Sequence, residues 1–190
     1  MASAAEQLAA NMNFASFQKA SELHKRIWFT IIALVVYRLG SYVPIPGIDV
    51  NAFAQLFNSN SEGILGMFNM FSGGAVERMA IFSLNVMPYI SASIIVQLMG
   101  SVYPPWEKLK KEGGEAGRKT LNQYTRYLAV ILAVVQSASI AMGLAAQPGV
   151  VVQGIGTVFF VASTVVALTG GTMFLMWLGE QITSRGVGNG

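Results

Sequence analysis

The chain has 190 residues, of which 53% are hydrophobic and only 11% are charged, with a net charge of +3. Soluble globular domains carry about 25% charged residues, whereas residues 127–179 of this chain contain no Asp, Glu, Lys or Arg. This composition excludes an ordinary water-soluble domain and predicts an integral membrane protein. The absence of cysteine also excludes disulfides, cysteine-bound zinc and a thiol nucleophile.

The N-terminal segment, residues 1–26, is polar but carries Phe14, Phe17 and Leu23 among its charged side chains. This pattern predicts an amphipathic helix on the membrane surface. No cleavable signal peptide is apparent, so the first span is expected to act as an uncleaved anchor. That span is predicted at residues 27–43 and contains Arg38. The arginine would either snorkel to the membrane interface or form an ion pair within the helix bundle, and the sequence favours neither.

A short apolar stretch at residues 64–76 follows an external loop at residues 44–63, which begins with Pro44 and Pro46. A membrane crossing needs about 20 apolar residues, so this stretch is predicted to be a re-entrant half-helix. Such a half-helix must be covered by protein or line an aqueous cavity. The pattern indicates a channel or a transporter.

The second span is predicted at residues 77–103 and is unusually polar. Pro88 is expected to remove a backbone hydrogen bond and loosen the helix there. Small polar residues in spans commonly make hydrogen bonds between helices. Beside a half-helix, however, we favour a span that faces an aqueous cavity. The polar residues in question are Asn85, Ser91, Ser93 and Gln97.

The remaining segments alternate between basic and uncharged. A polar stretch at residues 104–126 is predicted to be a cytoplasmic loop. A third span at 127–147, an external loop at 148–155, a fourth span at 156–178 and the start of another cytoplasmic loop at 179–190 follow. Except for Arg38 and Arg78, every Lys and Arg lies in 1–26, 104–126 or 179–190. The positive-inside rule therefore predicts a cytoplasmic N-terminus.

Six basic residues in the 104–126 stretch have two interpretations. They are a topology signal that also attracts anionic lipid, or they form a docking surface for a cytoplasmic partner. From the residues alone we favour the first interpretation, because the topology already requires a basic loop. The six residues are Lys108, Lys110, Lys111, Arg118, Lys119 and Arg126.

The sequence shows no pattern that is typical of an active site. His24 is the single histidine and lies in a basic stretch, and no carboxylate pair falls within a predicted span. The sequence GGEAGRKT at residues 113–120 lacks the glycine that a phosphate-binding loop places before its lysine. No enzyme activity, metal or cofactor is predicted.

Several motifs in series resemble the bacterial SecY family, whose members are the central subunits of the Sec protein-conducting channel. The resemblance runs from about residue 17 to residue 190. It rests on PIPGID at 44–49, MFNMFSGG at 67–74, NVMPYISAS at 85–93, KKEG at 110–113, YTRY at 124–127, MFLMWLGEQIT at 173–183 and GVGNG at 186–190.

The resemblance implies an all-α membrane protein, here the N-terminal part of a ten-helix channel, with four transmembrane helices and a re-entrant plug. Val86 and Ile90 would belong to the aliphatic pore ring, although the family usually has isoleucine at the position of Val86. Ser91, Ile94, Gln97 and Gln136 would line the lateral gate. The plug would include Ile64, Leu65, Met67, Phe68, Met70, Phe71, Gly73 and Gly74.

The family's partners are implied in the same way. SecE and SecG would be fellow subunits in the bacterial inner membrane, and the six basic residues would help to dock the SecA motor or the ribosome. Secretory and membrane polypeptides would pass through the channel. Because the family has ten spans, we expect that residues 1–190 alone do not form a closed pore.

Two other classes compete with the channel. A secondary transporter for a small solute also uses broken helices, but such transporters usually place a carboxylate at the membrane midplane, and the predicted spans have none. A non-conducting membrane scaffold would leave the half-helix and Pro88 without a purpose.

Overall fold

The computed structural model describes residues 21–59, 63–111 and 113–188, without the side chains of Ile64, Leu65 and Phe68. The surface helix predicted at residues 1–26 therefore lies largely outside the described residues. All regular structure in the described part is helical. The helices are α1 (Ser21–Gly40), α2 (Val50–Ser59), α3 (Ile64–Phe71), α4 (Met87–Val102), α5 (Pro104–Lys111), α6 (Gly114–Ala145) and α7 (Thr157–Arg185).

The described chain divides into two compact units. The first comprises residues 21–36 and 178–188, and the second comprises residues 37–177. In the first unit the backbone N–H of Val187 donates a hydrogen bond of 2.9 Å to the hydroxyl of Thr30. Gly186 lies close beside it, since a Cβ there would approach the same hydroxyl to 2.7 Å. The segment after α7 is thus fixed to α1.

A core in the second unit forms where the loops at one end of the helices meet. Its buried side chains come from the loops around residues 45–48 and 79–84, from Val150, and from Phe160 and Leu168 of α7. Backbone contacts join the same loops, because Pro44 bridges to Ala80 and Ile48 bridges to Val151. The loops after α1 and before α7 therefore lie side by side.

Helices α4 and α6 pack against each other, and the buried row of each helix is rich in small residues. The buried residues of α4 recur every fourth position, as Pro88, Ala92, Val96 and Gly100. Those of α6 follow the same spacing, as Thr125, Ala129, Ala133, Ser137 and Ala141. Side chains four apart share one helix face, and small side chains allow two backbones to approach closely.

The first part of the predicted second span is not helical in the structure. Residues 72–86 form successive turns, and α4 begins only at Met87 with Pro88 in its first turn. Proline suits this position because its ring fixes a helical φ, and the first helical residues have no intrahelical partner for an N–H group. Pro88 therefore starts a helix and does not loosen one.

The predicted loop at residues 104–126 is largely helical, because α5 and the first turns of α6 occupy it. Pro104 and Pro105 stand at the start of α5, where proline is tolerated. Gly117 allows the two helices to approach closely, since a Cβ there would collide with the carbonyl oxygen of Leu109. The polar residues lie on helices and not on a free loop.

Two helices of the described part, α6 and α7, are long and apolar enough to cross a membrane. With 16 residues, α4 is shorter, and its length of about 24 Å falls below the hydrocarbon thickness of about 30 Å. Four spans remain a prediction.

Candidate functional site

The short apolar helix α3 ends in a glycine pair. Gly73 and Gly74 adopt φ values of 64° and 86°, a left-handed conformation that side chains disfavour. The N–H of Gly74 donates to the carbonyl of Asn69 at 3.0 Å, and that of Gly73 donates to the carbonyl of Met70 at 3.3 Å. This pair of bonds is a Schellman motif, so the glycines end the helix and reverse the chain.

Donors from outside α3 bind the next carbonyl groups. The Tyr37 hydroxyl donates to the carbonyl of Ser72 at 3.2 Å, and the Arg38 guanidinium donates to that of Gly73 at 2.7 Å. Arg78 donates to the carbonyl of Gly74 at 3.3 Å. Helix C-termini leave carbonyl groups unsatisfied and carry partial negative charge. Cationic donors are therefore well placed here.

Tyr42 supports both arginines. Its hydroxyl accepts a hydrogen bond of 2.9 Å from Arg38. Its ring lies 4.9 Å from the Arg38 guanidinium and 4.4 Å from that of Arg78, within the range of cation–π attraction. We call Arg38, Tyr42 and Arg78 the arginine–tyrosine cluster. Arg38 thus binds a backbone carbonyl and a phenol, which neither predicted alternative anticipated.

The segment after α3, residues 72–86, is held firmly, and we call it the strap. The ring of Phe82 is stacked between those of Tyr37 and Phe174, with centroid distances of 5.9 Å on each side. The N–H of Ile81 donates to the carbonyl of Val43 at 2.9 Å. Gly40 also permits this packing, since a Cβ there would collide with the Phe82 ring.

One side chain connects α3 to the strap. The Asn69 amide donates to the Glu77 carboxylate at 3.2 Å, and its oxygen accepts the Glu77 backbone N–H at 3.1 Å. The apolar side chains of α3 are far less engaged. Met67, Met70 and Phe71 are 60%, 79% and 76% exposed. In the described residues, the polar end of α3 is fixed and its apolar surface is uncovered.

The predicted pore and gate residues of α4 lie on the side of the helix away from its buried row. Val86 is half-buried and immediately precedes the helix, and its carbonyl accepts the N–H of Ile90 at 3.0 Å. Ile90 and Ile94 are exposed and share one face, opposite the row packed on α6. Ser91 is half-buried. On α6, the half-buried Gln136 precedes Ser137, whose hydroxyl lies 3.3 Å from that of Thr169.

A cavity of about 620 Å³, lined mostly by polar and charged residues, lies among α4, α5 and α6. It brings Lys110, Lys111 and Arg118 together with Gln97, whose amide donates to Ser93 at 3.2 Å. Gln97 therefore lines this cavity although it lies only one helical turn from Ile94. The other predicted basic residues, Lys108, Lys119 and Arg126, are exposed but do not line the cavity.

One acidic side chain in the cavity is already paired. Glu107 accepts a hydrogen bond from Lys111 one helical turn away. That bond lowers the pKa of the Glu107 carboxyl below its ordinary value, and the carboxylate raises the pKa of Lys111 above its own. The cavity consequently keeps a positive character from Lys110 and Arg118.

Sequence reasoning missed the arginine–tyrosine cluster. One signal pointed to it, because Arg38 and Arg78 are the basic residues that stand outside the three basic segments. Their partners come from distant positions in the chain and are carbonyl groups, which carry no sequence signature.

Comparison with known proteins places this geometry in a family context. Residues 80–190 match the family model named SecY. The chain is 54% identical over 170 residues to Protein translocase subunit SecY of Pseudomonas aeruginosa, covering 90% of this chain and 38% of that relative. The relative of that name in Escherichia coli K12 is 54% identical over 173 residues, with coverage of 89% and 38%.

A third relative, from Rickettsia bellii, is 51% identical over 185 residues and covers 95% of this chain. The chain spans 42% of that protein's length. It thus corresponds to about two-fifths of the curated relatives.

Proposed function

We propose, since the chain belongs to the SecY family, that it forms the N-terminal part of the channel subunit of a Sec translocon. The complete subunit passes unfolded secretory polypeptides across the bacterial inner membrane and releases membrane helices sideways into lipid. The observation that carries the proposal is the identity of 54% over 90% of the chain to a protein translocase subunit. In this proposal α1, α4, α6 and α7 cross the membrane, and the N-terminus is cytoplasmic.

The pore ring of the proposed channel includes Val86 and Ile90. The two residues are one helical turn apart at the start of α4, and Ile90 is 44% exposed in this chain. An aliphatic constriction offers no partner to an ion and closes by excluding water. It yields to an extended polypeptide, since its contacts are not directional.

The plug of the proposed channel is α3 together with its glycine end. Its described apolar side chains, Met67, Met70 and Phe71, are exposed, which suits an element that seats against the interior of a complete channel. Ile64, Leu65 and Phe68 belong to the same helix. Gly73 and Gly74 connect the plug to the strap.

The lateral gate of the proposed channel lies along α4 and α6. Ile94 offers an exposed apolar surface to a membrane helix, and Ser91 lies half-buried beside it. Gln97 and Gln136 contribute polar groups at two levels. A segment that leaves the pore would pass this side into lipid.

The basic residues of α5 and α6 form the proposed docking surface for SecA or the ribosome. SecE and SecG are the proposed fellow subunits, and anionic lipids are expected around the same surface. The positive cavity at Lys110 and Arg118 supports this role, because clustered cations attract phosphate and carboxylate groups. Binding of these partners to the basic surface should weaken as salt is added, because salt screens the electrostatic attraction.

The test uses a single cysteine at Ile90, since residues 1–190 contain none. The complete translocon carrying Ile90→Cys is loaded with a secretory polypeptide arrested in transit and then crosslinked. Ile131→Cys is the matched control, because Ile131 is 59% exposed on α6 and lies outside the proposed pore.

A strong adduct at position 90 that disappears with a disabled signal sequence, beside a weak one at 131, supports the pore. An arrested chain in the membrane without an adduct at 90 would remove Ile90 from the pore. That result would favour a solute transporter.

A further inference from the structure

We infer that the arginine–tyrosine cluster is a latch that holds α3 in its resting position, with the Gly73–Gly74 pair as the pivot. This inference rests on the proposed function, in which α3 must leave the path of the polypeptide. It assigns to Arg38, Tyr42 and Arg78 the control of how readily α3 departs.

The latch acts on the carbonyl groups that follow α3. Those of Ser72, Gly73 and Gly74 accept bonds from Tyr37, Arg38 and Arg78, respectively. Two of these donors belong to α1 and stay in place when α3 rotates, whereas their acceptors lie at the pivot and turn with it. The third donor, Arg78, belongs to the strap. Hydrogen bonds from a charged donor are stronger than neutral ones, yet they are directional and are lost after a small displacement. Such contacts hold an element in one position and, once a small displacement has broken them, no longer restrain it.

The pivot follows from what stays fixed. Phe82 is stacked between Tyr37 and Phe174, and the strap makes backbone bonds to the loop after α1. The described apolar side chains of α3 are exposed. Gly73 and Gly74, both with left-handed φ, lie at the start of the strap, between its fixed residues 75–86 and the loosely covered helix. Glycine tolerates large backbone rotations, so rotation at this pair moves α3 while residues 75–86 remain in place.

Tyr42 makes the latch cooperative. Its ring supports both guanidinium groups, and its hydroxyl also accepts from Arg38. Two like charges near each other repel, and the electron-rich Tyr42 ring that both contact offsets that repulsion. Loss of the Tyr42 hydroxyl removes one bond, whereas loss of Arg38 removes the bonds to Gly73 and Tyr42 and leaves Arg78 with the Gly74 carbonyl and the Tyr42 ring.

The experiment measures amide hydrogen exchange of residues 66–75 in the complete translocon. Exchange reports how often a protected segment opens. In the resting channel Arg38→Met should raise the exchange rate of the protected amides in this segment about tenfold, since a charged hydrogen bond is lost. Tyr42→Phe should raise it about two- to threefold, because the ring remains. Lys25→Met, a loss of charge at the other end of α1, should leave it unchanged.

A measurement in a second state of the channel distinguishes a latch from a contact that only stabilises the local structure. With a polypeptide arrested in the channel, the parent rate should rise to that of Arg38→Met, because the latch is then already open. Equal rates for parent and Arg38→Met in the resting state would overturn the inference. A difference that persists unchanged in the arrested state would also overturn it.

Two controls keep the outcome interpretable. Exchange in α2 should be unchanged in every variant, and if Arg38→Met does not assemble, Tyr42→Phe alone decides. The resting-state comparison needs no translocating chain, so it can fail while Ile90→Cys still crosslinks. Suppose that Ile90→Cys gives no adduct but that Arg38→Met still exchanges faster than the parent in the resting state. The cluster would then only stabilise the local structure, and both the latch and the proposed channel function would be overturned.

Discussion

Asp49 shows how a single side chain positions an element of this chain. Its carboxylate accepts hydrogen bonds from the backbone N–H groups of Asn51 at 3.0 Å and Ala52 at 3.1 Å. The first N–H groups of a helix have no partner within it, so this cap supports the start of α2. The N–H of Asp49 also donates to the carbonyl of Val150 at 2.8 Å. The residue therefore connects α2 to the loop before α7.

Removal of the cap should loosen α2 alone. Asp49→Ala should cost about 1 kcal/mol of local stability, and Asp49→Asn should cost much less, because an amide oxygen also caps. Hydrogen exchange of the amides of Val50–Ser59 measures the effect. Asn51→Ala is the control, since Asn51 contributes its backbone N–H to the cap. Equal exchange in Asp49→Ala and the parent would show that the cap does not support α2.

Arg38 illustrates why residue-level partners could not all be predicted. Its position near the end of a predicted span indicated a special role, and the two expected roles followed from charge alone. Its partner at 2.7 Å is the carbonyl of Gly73, and any residue has such a carbonyl. What makes this one available is the glycine end of α3, a three-dimensional feature that only the folded chain reveals. The pore, gate and plug assignments likewise came from family resemblance and remain predictions.

Pro88 raises the corresponding question for an element. From the sequence it is a break inside a span, whereas in the structure it belongs to the first turn of α4. Hydrophobicity alone could not locate this boundary, because the uncharged residues 79–86 before it are as apolar as the helix. The strap is not helical because Met79 and Asn85 adopt positive φ values of 45° and 50°, and Phe82 is fixed between two rings.

The two interpretations of Pro88 predict different results for Pro88→Ala. If the strap is fixed by its own contacts, the variant should lose about 1–2 kcal/mol of packing and gain no helix, because Pro88 is buried. Ile95→Pro, within α4 and 41% exposed, should cost about 3 kcal/mol or more. Hydrogen exchange and thermal unfolding of the translocon measure both effects. New protection of residues 79–86 in Pro88→Ala would show that the proline interrupts a longer helix.

Helices α5 and α6 likewise form structure that the sequence did not predict. Low hydrophobicity between two spans predicted a loop, but Pro104, the helix-favouring residues that follow it and the small Gly117 allow a helical hairpin instead. The basic character was read correctly from the sequence. What could not be read was that the side chains of Lys110 and Arg118 meet Gln97 in one cavity.

In the second unit, the basic residues of α5 and α6 lie at one end of α4 and α6, and the loop core lies at the other. The loop after α1 bridges to the loop before α7 at Ile48 and Val151, so these loops must lie on the same side of a membrane. The basic residues of α5 and α6 lie near the C-terminal end of α4 and the N-terminal end of α6, away from the loop core. Basic segments remain on the cytoplasmic side during insertion, so we expect the loop core to face outward.

This arrangement predicts which residues can be labelled from each side. In the complete translocon, single cysteines at Asn51 and Gln153, both exposed, should react with a membrane-impermeant maleimide added to the outer face. A cysteine at the exposed Gln123 on α6 should react only after the membrane is permeabilised. Because residues 1–190 contain no cysteine, each signal from this segment has one source.

Two outcomes would contradict the arrangement in different ways. Opposite accessibility of positions 51 and 153 would contradict the contact between their loops, and with it the core of the second unit. Reversed accessibility of all three positions would keep the fold but invert its orientation, because the loop contacts do not depend on which side faces the cytoplasm. The charge at Lys110 and Arg118 would then face away from SecA and the ribosome. This result would contradict the docking proposal but not the helix packing.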